Sequence, residues 1–363
     1  MRILCGWFLS VLLIINCVVP VLAVSVPENL KDALPGEADQ ILDGTNEEIY
    51  DNNTLHRGIE KLWHSAKERI LSLIHDNFGG IVLLLGVVLL CGVIDDLYRS
   101  AENKGPDVVP MAGALMITML SAGNLRSLIG MGLEALEQLD LFAKSLLPTL
   151  AAAVAACGGV ITAGTRQVGT VFFANLLLTA IRRILVPLVC FYIAVSMADA
   201  MLPEIDLKRL RSGIGKIATW GLTSMLLLFT AYLTLSGAAG TAADSTAVRL
   251  TKSAISTAVP VVGGIISDAT ESVLAGAGLI KSSVGIFGML GVLAICLTPF
   301  LHLAVQFLMY KLAAMLASAI GSESLIGLID AIGSAFGLIL GMVGACALLL
   351  LISVASFVSV VVT

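Results

Sequence analysis

Six charged side chains, Asp244, Arg249, Lys252, Asp268, Glu271 and Lys281, sit in a stretch otherwise made of Gly, Ala, Ser, Thr and aliphatic residues. A charge near the centre of a bilayer is expensive, at about 2.5–3.5 kcal/mol on insertion scales, so such groups face a partner, a cavity or the membrane surface. Asp268 and Glu271 are spaced to share one face of a helix, and so are Arg249 and Lys252. Two readings stay open. The acidic and basic sets pair with each other, or they line a water-filled path in which Pro260, Gly263 and Gly264 break the helix as re-entrant segments require.

Enzymatic patterns are missing. The chain has no HExxH, no GxSxG and no GxxxxGK[ST]; the Gly215-Lys216 pair has Leu210 where the phosphate loop needs its first glycine. His56, His64 and His75 lie in a polar N-terminal region, and His302 stands alone beside an apolar run. The seven cysteines (Cys5, Cys17, Cys91, Cys157, Cys190, Cys296 and Cys346) lie in apolar runs without a CxxC pair, which reads as packing rather than metal binding. No catalytic, cofactor-binding or metal-binding residue is therefore expected, and no cofactor.

Hydrophobic residues make up 58% of the 363 and charged residues 13%, a balance unlike that of a water-soluble chain. The apolar runs are continuous, long and rich in Leu, Ala, Gly and Val, which favours spanning helices over barrel strands. A formal net charge of −5 provides no basic surface for nucleic acid. The fold expected is all-α: a polytopic transmembrane helical bundle of about seven or eight spans with a short external N-terminal segment.

Residues 1–23 read as a secretory signal peptide, with Arg2 before the apolar stretch Ile3 to Ile15 and small residues at Ala23 and Ser25; a retained first helix is the alternative. Residues 24–77 are solvated, and Leu55, Ile59, Leu62, Trp63, Ala66, Ile70, Leu73 and Ile74 recur at helical spacing, predicting an extracytoplasmic amphipathic helix. The membrane domain is expected over 78–363. Its predicted spans are 78–94, 108–123, 146–164, 168–202, 214–235, 286–303, 304–320 and 332–361, with an interfacial helix over 124–145 carrying Glu134, Glu137 and Asp140. Arg182 and Arg183 interrupt 168–202, so that this stretch is one tilted helix or a hairpin broken near Pro187. The basic cluster Lys208, Arg209, Arg211 and Lys216 should lie in the cytoplasm, yet counting a single helix over 168–202 from an external N-terminus places it outside. Gly333, Gly337 and Gly341 form a GxxxGxxxG ladder for close helix packing, within the chain or between subunits.

The run Pro260-Val261-Val262-Gly263-Gly264 through Asp268-Ala269-Thr270-Glu271, preceded by Gly240-Thr241 and Val248-Arg249-Leu250-Thr251-Lys252, resembles the stage III sporulation protein AE family of endospore-forming bacteria. Leu147-Pro148-Thr149-Leu150, Val186-Pro187-Leu188 and Tyr310-Lys311-Leu312-Ala313-Ala314 add to the resemblance, which covers residues 78–363. It implies a non-enzymatic, multi-pass subunit of a channel-like, secretion-like complex in the mother-cell membrane around the forespore, supporting late forespore gene expression. Implied partners are ring-forming membrane proteins and a secretion-type ATPase, and the glycine ladder allows a homo-oligomer as well. The rival reading is a self-sufficient secondary transporter using the polar segment 236–285.

Overall fold

The computed structural model describes residues 30, 32–42, 52–100, 108–201, 207–258, 263–319 and 322–359, and for 52–55, 96, 98–100, 108, 248–249, 251–277 and 279 it describes the backbone alone. The expected signal peptide at 1–23 and Pro260 lie outside the described residues.

All regular structure among the described residues is helical: α1 (Gly36–Leu42), α2 (Asn52–Ser100), α3 (Val108–Ala156), α4 (Val160–Ala180), α5 (Val186–Met201), α6 (Lys208–Ala258), α7 (Gly263–Ala317) and α8 (Glu323–Val358). Among the described residues, six helical segments are long and apolar enough, by length and composition, to cross a membrane: His56–Asp95, Val109–Ala156, Val160–Met201, Lys208–Ala247, Ile280–Ala317 and Glu323–Val358. The polytopic helical bundle expected is borne out, and its count of about seven or eight is close to these six. Two mergers account for the difference. The 108–123 and 146–164 spans join through the expected interfacial helix into α3, and 286–303 joins 304–320 into α7 across Pro299.

Both mergers have a physical basis. Of the charged residues of α3 that interrupt its apolar pattern, Glu134, Glu137 and Lys144 are exposed and Asp140 is half-buried, while Ala135, Leu136, Leu139, Phe142 and Ala143 are buried, so one face of the helix stays continuous. Prolines inside membrane helices are tolerated because the freed carbonyl finds other partners. The true end of α3 is Gly158, whose φ of 87° is a left-handed conformation that favours glycine. Around it Gly158 N–H donates to Ala155 O (2.9 Å) and Gly159 N–H to Val154 O (3.0 Å).

Residues 168–202 form no hairpin. Helix α4 passes into α5 through a π-helical turn, Ile181–Leu185, in which Val186 N–H donates to Ile181 O. Pro187 has no N–H to offer the carbonyl four residues back, and the wider turn absorbs that loss without stopping the helix.

Six crossings put the start of α2 and the basic cluster at opposite ends of the bundle. An external start and an internal Lys208–Lys216 cluster are then compatible, and the conflict in the span count disappears. Lys208 bonds Glu323 at 2.9 Å, tying the first turns of α6 and α8 together at this basic end. The short turn between α3 and α4 lies at the other end.

Helices α7 and α8 have the largest buried shares and form the core. Helix α8 packs on α7, α3, α5, α6 and α4, while α7 also meets α2, α3 and α1. The polar half of α2 is continuous with its apolar half and not a separate surface helix; Leu62, Ala66 and Leu73 are buried, and Trp63 is exposed. Leu34 of the N-terminal segment is buried with Leu30 and Ala38, and Arg69 of α2 lies 3.8 Å from Glu37.

Candidate functional site

The polar groups of the sequence motif divide into those the structure brings together and those it does not describe. Asp244 and Lys281 are buried. The side chains of Arg249, Lys252, Asp268 and Glu271 lie outside the described residues, so their expected pairing is untested. Gly263 and Gly264 are the first residues of α7, so the helix break falls between Ala258 and Gly263.

Asp244 is 2% exposed, and its two carboxylate oxygens accept from Ile161 N–H (2.9 Å) and Thr162 N–H (2.8 Å). These are the first donors of α4, whose own N-cap residue, Gly159, has no side chain to satisfy them. A carboxylate at a helix N-terminus meets both unmet donors and the positive end of the helix dipole. Asp244 is thus a cap supplied from another helix, across more than eighty residues of sequence.

The opposite kind of terminus is met close by. Arg166, only 7% exposed, donates through Nη1 to Ser356 O, a carbonyl in the last turn of α8. A cation there complements the negative end of that helix. Its Nε and the hydroxyl of Thr162 are buried without a hydrogen-bond partner among the described residues. Thr170 and Ser353 share a 2.6 Å hydrogen bond one level deeper, and Tyr232 OH donates to Thr165 O at 2.8 Å. Lys281 lies near enough to Arg166 and Cys157 to act on both electrostatically. Cys157 is in the α3–α4 turn, outside the spans; burial pushes its thiol up, with the Lys281 ammonium opposing.

Small residues allow this closeness. A Cβ at Gly240 would stand 2.7 Å from Thr162 Oγ1 and 3.1 Å from its Cα, one at Gly237 would stand 2.6 Å from Arg166 Nη2, and one at Gly169 would enter the Tyr232 ring at 1.9 Å. The Gly/Ala-rich stretch of α6 is therefore a contact face for α4. Of the last-helix ladder, Gly333 faces Tyr310 and the backbone of Lys311, and Gly337 faces the ring of Phe307, both on α7; Gly341 has Leu222 of α6 at 3.9 Å.

The basic end has its own network. Arg211 lies 3.7 Å from Asp199 and donates to Gly327 O at 3.1 Å, and Asp199 accepts Leu207 N–H at 3.1 Å. Lys311 donates to Asp330 Oδ1 (2.6 Å) and Ser334 Oγ (2.8 Å). An open recess of about 530 Å³ is lined here by Tyr192, Arg211, Lys216, Thr219 and Ser334 among others. Among the described residues no three His, Cys, Asp or Glu side chains are placed to hold a metal ion.

Sequence reasoning missed Arg166, although a lone cation between apolar runs was a legible signal. It also missed Thr162 and Tyr232, whose roles depend on contacts distant in sequence. The arrangement does chemistry of a mechanical sort: its charges close helix ends and fix α4, α6 and α8 to one another.

The chain is 26% identical over 254 residues to the stage III sporulation protein AE of Bacillus subtilis (strain 168), a match covering 69% of this chain and 64% of that protein. No solved structure matches. The family model for stage III sporulation protein AE matches residues 45–361, most of the length of the chain, and the chain belongs to that family.

Proposed function

We propose that this chain is a non-catalytic, multi-pass subunit of a channel-like, secretion-like complex in the mother-cell membrane surrounding the forespore, where it supports late forespore gene expression. The observation that carries the reading is the family match over residues 45–361, joined to an all-helical bundle of membrane-spanning length. The buried and half-buried charges add to it. Asp244, Arg166, Arg211 and Asp199 each satisfy a helix end, a backbone group or one another, as framework residues do. Ring-forming membrane proteins and a secretion-type ATPase are the partners this role calls for.

Deleting the gene in its own organism tests the reading. Late forespore transcription should fail while engulfment is completed. Normal spores and normal late transcription would sink it. Substrate flux across liposomes holding this protein alone would instead favour a self-sufficient transporter, whose substrate site would have to lie within 236–285.

A further inference from the structure

Four charged side chains lie on the outside of the bundle at a depth where lipid tails must be. Helix α8 carries no Asp, Glu, Lys or Arg from Ala331 to Val358. A hydrocarbon layer of about 30 Å takes about 20 helical residues. Wherever such a layer falls within Ala331–Val358, it includes Ile339 to Val343. At that level Ile339, Met342 and Val343 surround one small apolar space together with Gly132, Leu133 and Leu136 of α3 and Ile181 and Val186 of the α4–α5 helix. Glu134, Glu137, Arg182 and Arg183 belong to the same turns and are all exposed. Glu137 is 64% exposed and Arg182 47%, and their charged atoms are 3.6 Å apart.

Lipid does not solvate such a group, and the single loose ion pair leaves about half of the Arg182 side chain and nearly two thirds of that of Glu137 uncovered. Only a layer at the very end of this range, Ile339–Val358, would let these side chains snorkel to a headgroup; a layer set nearer Ala331 has hydrocarbon on both sides of them. Something polar therefore covers this face in the membrane.

We propose that the cover is a second copy of this chain, packed through the face carrying Glu134 and Glu137 on α3 and Arg182 and Arg183 at the π-helical turn. The charge pattern selects this occupant. Acids stand on one helix and bases on its neighbour, side by side at one depth. A two-fold axis along the membrane normal turns that patch onto itself, so that the Glu137 of each copy meets the Arg182 or Arg183 of the other. The patch is neutral and self-complementary, as an isologous interface must be. The π-helical turn serves the same end: it keeps both arginines on the outer face while Ile181 and Leu185 stay buried.

The test is a charge swap in full-length chains with two different tags, co-expressed in one membrane and co-purified in mild detergent. Wild-type copies should capture each other. Glu137→Arg should lose self-capture at least about tenfold, as should Arg182→Glu, because each pairs like with like. A Glu137→Arg copy co-expressed with an Arg182→Glu copy should recover capture, since every contact across the axis is then between opposite charges. The double variant E137R/R182E keeps the pair within the chain and should self-associate like wild type, which separates the effect from misfolding. Absence of wild-type self-capture overturns the proposal, and so does equal capture by all variants. Rapid reaction of Glu134→Cys with a membrane-impermeant thiol reagent also overturns it, because the face would then line water.

Discussion

Replacing Asp244 by Ala removes an acceptor that two N–H groups share, and the structure allows the loss to be sized. Ile161 is partly exposed, so its N–H can turn to water or headgroups, and the loss there is about 0.5–1 kcal/mol. Thr162 is fully buried, and its N–H is left orphaned, which costs about 1–3 kcal/mol. The sum, about 1.5–4 kcal/mol, should lower the Tm by about 3–16 °C at the 2–4 °C per kcal/mol of large domains. Asp244→Asn retains one acceptor and should fall between the two. The assay is thermal unfolding in detergent read by a thiol-reactive dye, for which the buried Cys296 and Cys346 report opening of the core. Wild-type melting together with lost sporulation function would refute the capping argument and return Asp244 to a role in a polar path. Wild-type melting with full function would show that the carboxylate does neither.

Further expectations use the same melting assay. Gly333→Ala places a methyl 3.0 Å from Tyr310 Cβ and 3.5 Å from Lys311 N, so it should destabilise by about 1–3 kcal/mol, while Gly341→Ala, with 3.9 Å to its nearest neighbour, should be close to neutral. Equal effects would show that the ladder is not read by α7. Gly169→Ala should displace the Tyr232 ring and break its bond to Thr165 O, and Tyr232→Leu should recover most of the loss; an additive double variant would count against the contact. Arg211→Met leaves Asp199, which is 10% exposed, buried without its cation and should cost about 2–4 kcal/mol. Lys208→Met opens a solvated pair with Glu323 and should cost about 0–1 kcal/mol, so a reversed order would refute the burial argument.

Much of the fold was legible because lipid imposes a coarse code: long apolar runs become helices, and the runs in this chain end where charge or Gly158 ends them. The span count was harder. Glu134, Glu137 and Asp140 lower the average hydropathy of α3 without interrupting its buried face, and a linear reading sees the average before the face. Pro187 misled in a similar way, since a π-helical turn can accommodate what a strict α-helix cannot. At the polar end, composition showed that Asp244 and Lys281 needed an explanation. It could not show that Asp244 serves two donors of α4, because that bond joins residues far apart in the chain. The glycines of α6 were visible as a small-residue stretch, but only the positions of Thr162, Arg166 and Tyr232 reveal which neighbour they admit.

The two helices on which the others lean, α7 and α8, follow the other six in the chain. Until the ribosome has delivered them, the earlier crossings stand in the bilayer around an unfilled groove, with Arg166 lacking the Ser356 carbonyl it will later hold. A chain stopped short near residue 258 would present the cell with an open arch rather than a smaller finished building.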